Sequence, residues 1–124
     1  MSEELRGVVV CHGSMAVALV QAAEQISGVD AALIPVSNTG CDRDTLEQRV
    51  LTAVDKRPAV VFVDMASGSC LFAVLKRLKA EPSVRVVTGV NLAMLVDFVF
   101  HRTLSPYEAA SRAASTGQAS IRLP

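Results

Sequence analysis

The chain has 124 residues, 51% of them hydrophobic and 19% charged, with twelve basic residues set against twelve acidic ones. This is a globular composition with enough length to bury a core, and it excludes a disordered tail, a basic nucleic-acid-binding face and a lysine-rich membrane anchor. No apolar run approaches the ~18 residues that a membrane-spanning helix needs.

The start, Met1-Ser2-Glu3-Glu4, is acidic and lacks the basic n-region of a signal peptide. Cys11, Cys41 and Cys70 are odd in number and show neither C-x-x-C nor zinc-ligand spacing, as expected of reduced thiols in a cytoplasmic protein. The expectation is therefore a single domain over residues 1–124, without repeats or linkers.

The first element is a strand over Gly7 to Cys11, whose continuous apolar run suits a strand buried on both faces. It stops at His12-Gly13-Ser14. Met15, Leu19, Val20, Ala23 and Ile26 then recur at helical spacing, with Ser14 as candidate N-cap and Gly28 as the stop. Ala31 to Val36 is a second strand, and Pro35 assigns it to a sheet edge or ends it. Asp44 and Glu47 resemble a capping pair for a second helix, which turns Leu46, Val50, Ala53 and Val54 inward.

Ala59 to Asp64 is the most strand-like run. It ends at Asp64 and a small-residue turn containing Ser67-Gly68-Ser69, and a third helix with Leu71, Val74, Leu75 and Leu78 inward follows. Val84 to Thr88 is a fourth strand. Asn91 caps a fourth helix reaching about Arg102, so apolar all round that a subunit interface is expected on it. Ser105, Pro106 and Glu108 open a fifth helix that runs to Gly117. Ala119 to Leu123 reads as a last short strand.

Strands alternating with helices imply an α/β fold: a doubly wound, mostly parallel sheet of four to five strands with right-handed crossovers and helices on both faces. With the first strand central and the second and third beside it, the topological switch falls between strands one and three. Their carboxyl ends carry His12 and Asp64, at the edge where ligands of such sheets bind.

Three chemistries compete for His12. A metal site needs more ligands than spacing supplies, since no acidic cluster joins His12 and the other histidine, His101, lies in the fourth helix. A hydrolytic triad could draw on Ser14, Ser67, Ser69, Cys11 or Cys70, but there is no G-x-S-x-G nucleophile elbow. A phosphoryl-accepting histidine fits best. A carboxylate such as Asp64 can hold one ring nitrogen as N–H and aim the other outward as nucleophile. Helix N-termini after Gly13 and Gly68 can offer backbone N–H groups to the phosphoryl oxygens, and Ser67 and Ser69 can add hydroxyls.

The run Val9-Val10-Cys11-His12-Gly13-Ser14, the block Phe62 to Ser69 and the block Thr88 to Val96 together resemble the enzyme IIA domain of the mannose-type sugar phosphotransferase system. The resemblance implies a flavodoxin-like fold, a homodimer, and a histidine phosphorylated by the phosphocarrier HPr, which maps onto His12 with Asp64 as its orienting carboxylate. It implies onward transfer to a IIB component in the cytoplasm, with the membrane involved only indirectly through a IIC/IID permease, and no cofactor. The chain departs from the family at Ser67-Gly68-Ser69-Cys70 and Phe72, where the family usually has Gly-Gly-Ser-Pro and then Asn, and at Ala93, usually proline. The alternatives are a regulatory module sensed through its phosphorylation state, or the phosphoryl donor of a dihydroxyacetone kinase. A flavin or nucleotide binder of the same fold class is disfavoured by zero Trp, one Tyr and the lack of G-x-G-x-x-G.

Overall fold

The computed structural model describes residues 4–124; residues 1–3, and with them most of the acidic start, lie outside the described residues. The elements are β1 (Arg6–Cys11), α1 (Met15–Ser27), β2 (Leu33–Ser37), α2 (Arg43–Val54), β3 (Ala59–Val63), α3 (Ser69–Leu78), β4 (Val84–Thr88), α4 (Leu92–Val99) and α5 (Pro106–Ala119). The strands form one parallel sheet in the order β2-β1-β3-β4. β1 is central, and the order reverses between it and β3. β2 holds an edge, where Pro35 lies in register with Val9 and the missing N–H of proline is tolerated.

Alternate residues of each central strand feed two separate cores. Val9, Cys11, Val60 and Phe62 pack beneath α1, α4 and α5, while Val8, Val10, Val61 and Val63 pack beneath α2 and α3. The first core centres on Phe62 and Phe98, fully buried rings in edge-to-face contact with centroids 5.2 Å apart. Gly7 lies under that pair. A Cβ there would sit 2.6 Å from both Phe98 Cε2 and Leu33 Cδ2, so only glycine lets β1 pass this close.

Four local expectations change. The N-cap of α2 is Asp42, whose carboxylate accepts from the Thr45 N–H. Glu47 instead lies buried between α2 and α3, where Arg77 donates to it at 2.6 Å and Lys76 approaches at 3.6 Å. The hydrogen bond from Arg77 outweighs its burial and holds its carboxyl below the usual range. Ser14 makes no side-chain cap to α1. Gly117 does not end α5, which continues to Ala119. Its missing side chain admits Met94 and Asn91 of α4, since a Cβ would stand 2.7 Å from Met94 Cε.

The last strand is absent. Ser120 and Ile121 donate back to the carbonyls of Thr116 and Gln118, which draws Ala119 into the helix and denies the segment the extended backbone a strand needs. The sheet accordingly has four strands among the described residues. The fourth helix is shorter than expected, ending at Val99, and none of its residues is fully exposed. α1, α5 and the sheet cover it within one chain, so its apolar surface does not by itself call for a partner.

Candidate functional site

The carboxyl ends of β1 and β3 bring together two residues 52 apart in sequence. His12 leaves β1 as the chain turns toward α1, and Gly13 makes that turn with φ of 61°, a left-handed conformation that glycine adopts without strain. Asp64 leaves β3 before the loop that leads into α3. A single oxygen, Asp64 Oδ2, accepts both from the His12 backbone N–H at 2.9 Å and from the ring at Nδ1, 2.8 Å away. The first contact fixes where the residue sits and the second fixes how its ring turns.

An ionised carboxylate can only accept, so Nδ1 carries the proton and Nε2 is left with a free lone pair. No hydrogen bond among the described residues engages Nε2, and the His12 side chain is 41% exposed against 7% for Asp64. Burial alone would raise the Asp64 carboxyl. The backbone and ring hydrogen bonds from His12 outweigh it and hold the group below the ordinary carboxylate range. The outcome is a buried anion behind an accessible, correctly protonated imidazole.

The surroundings were only partly foreseen. Asn38, in the loop after β2, accepts from the Gly13 N–H at 3.1 Å, and the Ser37 hydroxyl donates to the Gly13 carbonyl at 2.7 Å. The Gly13 amide is therefore occupied, and its contribution is the turn rather than a free donor. In the sequence Ser37 and Asn38 carry no signal beyond a loop composition. Their role depends on β2 lying beside β1, which no local pattern announces.

Ser67, Gly68 and Ser69 follow Asp64 as an exposed turn, with Gly68 at φ of 99° directly before α3. The N–H groups of Gly68 and Ser69 have no acceptor within the described residues, which leaves a short amide cradle open to an anion. Beside it, Asn38, Asp42, Arg43, Leu46, Ser69 and Phe72 line a cavity of about 250 Å³. The Arg43 guanidinium stacks 4.5 Å over the half-exposed Phe72 ring.

A hydrolytic triad finds no support here. Ser14, Ser67 and Ser69 make no hydrogen bond to the His12 ring. The near thiol, Cys70 Sγ, lies 3.7 Å from Nδ1, the nitrogen already turned to Asp64. Burial, with the charge of Asp64 behind it, pushes the Cys70 thiol up to about 11 and that of Cys11 to about 12, so both stay protonated at neutral pH.

The family model described as the fructose IIA component of the PTS system matches residues 7–115. The chain belongs to this IIA family. As a IIA protein it is a component of the sugar phosphotransferase machinery, and its four-stranded parallel sheet with five helices recurs in solved IIA structures. The mannose/sorbose-specific IIA subunit from Enterococcus faecalis superposes with a TM-score of 0.83 at 22% identity, over 98% of each chain. The EIIA component from Streptococcus agalactiae gives 0.83 at 16% identity over 96% of each chain. The IIA protein associated with a fucose utilization operon in Streptococcus pneumoniae gives 0.79 at 23% identity, covering 99% of this chain and 96% of that one. No curated protein matches the sequence. No helix among the described residues is long and apolar enough to cross a membrane.

Proposed function

We propose that this IIA chain is a phosphohistidine carrier in which His12 Nε2 takes a phosphoryl group from HPr and passes it to a IIB component. The observation that carries this reading is the 2.8 Å contact between His12 Nδ1 and Asp64 Oδ2 at the switch point of the sheet. Nε2 attacks the phosphorus of the donor's phosphohistidine, the N–P bond to the donor breaks, and positive charge develops on the His12 ring. Asp64 is already in place to offset that charge. The exposed amides at Gly68 and Ser69 and the hydroxyls of Ser67 and Ser69 would receive the phosphoryl oxygens. Transfer to IIB runs the same steps in reverse.

Donor and acceptor place the protein in the cytoplasm, with a IIC/IID permease its only link to the membrane. Met15, Met65 and Phe72 are exposed on the segments that follow β1 and β3, and Arg43 stacks on Phe72, so these side chains would form the face that both partners touch. Since Phe72 departs from the family's usual Asn, partner choice would be expressed there.

Incubation with enzyme I, HPr and phosphoenolpyruvate should add one phosphoryl group per chain to the intact mass. The product should be acid-labile and alkali-stable, as a phosphoramidate is. No mass gain with a competent HPr would end the carrier reading, and a gain that no IIB component discharges would favour the regulatory module instead.

A homodimer belongs to the same reading. Ile121 is 77% and Leu123 is 100% exposed beyond α5. Apolar surface left in water costs about 25 cal/mol per Å², and a second copy would cover it. Light scattering should give twice the chain mass, and a monomer at micromolar concentration would overturn the dimer.

A further inference from the structure

The residues that orient the histidine also form a set of metal ligands. One ligand atom each from His12, Asp64 and Cys70 lies within 4.8 Å of the others. Their chemistry is an imidazole nitrogen, a carboxylate oxygen and a thiol sulfur. That mixture selects a borderline-soft cation such as Zn²⁺ over Mg²⁺ or Ca²⁺, which prefer oxygen alone. Three protein ligands with the fourth position open to solvent is a recurrent zinc arrangement.

We infer that His12 Nδ1, Asp64 and Cys70 Sγ bind one Zn²⁺, and that this binding switches the carrier off. Bond lengths to zinc place tetrahedral N and S ligands roughly 3.6 Å apart, and N and O ligands roughly 3.3 Å apart. Cys70 Sγ already stands 3.7 Å from Nδ1. Nδ1 and Oδ2, now 2.8 Å apart, have to open by about half an ångström, exchanging their hydrogen bond for two bonds to the metal. Asp64 has a second oxygen to offer as well: Oδ1 is buried and has no hydrogen-bond partner.

The proton balance makes this an off switch. Zinc takes the Nδ1 lone pair, so the ring proton moves from Nδ1 to Nε2, and the thiol proton of Cys70 is released to solvent. Nε2 then holds a proton where it held the attacking lone pair, and Asp64 is neutralised by the cation.

The binding half of the inference is independent of the carrier reading, whereas the switching half rests on it, so the two are measured separately. Calorimetry with Zn²⁺ alone, with no phosphoryl donor present, should show one site per chain and release of one proton. Cys70→Ser should weaken it at least about tenfold. Co²⁺ in its place should give a tetrahedral visible spectrum with a thiolate-to-metal band in the near ultraviolet. That band should survive Cys41→Ser and disappear in His12→Ala, which decides the matter even if Cys70→Ser does not fold.

Absent binding, binding indifferent to Cys70→Ser, or a thiolate band lost with Cys41 would each overturn the site. For switching, Zn²⁺ should suppress phosphoryl uptake from preformed phospho-HPr in the wild type, and the ratio of rates with and without Zn²⁺ should return to about one in Cys70→Ser. Equal suppression in both proteins would overturn the switch while leaving the site intact.

Discussion

His12→Ala should abolish phosphoryl uptake, with the intact mass unchanged after exposure to enzyme I, HPr and phosphoenolpyruvate while the protein remains folded. The loss should be complete because the nucleophile itself is removed and no neighbour can replace it. Cys70 and Cys11 are protonated thiols at neutral pH, and Ser14, Ser67 and Ser69 make no hydrogen bond to the His12 ring or to Asp64. The other histidine, His101, cannot substitute. It follows α4 at the amino end of the strands, where the Arg102 carbonyl accepts from Leu5 just before β1, and its Nδ1 is 2.7 Å from the Asp97 carbonyl. The protein should stay folded but lose some stability: the ring takes with it one of the two hydrogen bonds that Asp64 Oδ2 accepts, while the His12 backbone N–H still pairs that carboxylate and the buried strand behind it is untouched. Full labelling of a folded His12→Ala protein would move the phosphorylation site to His101 or elsewhere and take the proposed mechanism with it.

The parts of this fold that the sequence reveals are those that depend on one strong local signal. β1 and β3 are continuous apolar runs bounded by polar turns, and both were legible to within a residue or two because a strand buried on both faces needs that composition. Pro35 marked an edge for a mechanical reason that the sheet then honours. The switch point followed from the alternation of strand and helix once the first strand was placed at the centre, and with it the meeting of His12 and Asp64.

What stayed hidden depends on partners distant in sequence. Glu47 reads as a capping residue because its nearest charged context is Asp44, yet Arg77, 30 residues on, draws it between two helices. Asn38 is a generic turn residue until β2 lies beside β1. Ala119 to Leu123 alternates like a strand, but a strand exists only where a sheet edge receives it. The cluster of Cys70 with His12 and Asp64 shows no ligand spacing, since its members come from three junctions that only the sheet brings together.

Asp64→Asn should leave the fold intact and slow phosphoryl uptake by roughly 10–1000-fold, the range for losing one oriented partner of a reacting group. The substitution is close to isosteric, and an amide oxygen can still accept from the His12 backbone N–H and from Nδ1, so the ring keeps its place. What goes is the negative charge. An amide cannot offset the charge that develops on the imidazole as Nε2 bonds to phosphorus, and an amide turned the other way would present a donor to Nδ1 and favour the wrong tautomer.

A carboxylate that merely fastened the turn would behave differently: Asp64→Asn would lose stability while each folded molecule still took up phosphate at the normal rate. Thermal stability and single-turnover uptake measured on one sample separate the two. The pH dependence supplies a third reading. Asp64 is held below the ordinary carboxylate range in the folded state, so its ionised form stabilises the fold above the unfolded-state value near 3.8. That contribution fades as pH falls through the folded-state value. The wild type should therefore lose stability in acid more steeply than Asp64→Asn, which has no proton to take up at this position. Wild-type uptake by a folded Asp64→Asn protein would mean that the carboxylate beside His12 anchors the backbone and plays no part in the transfer.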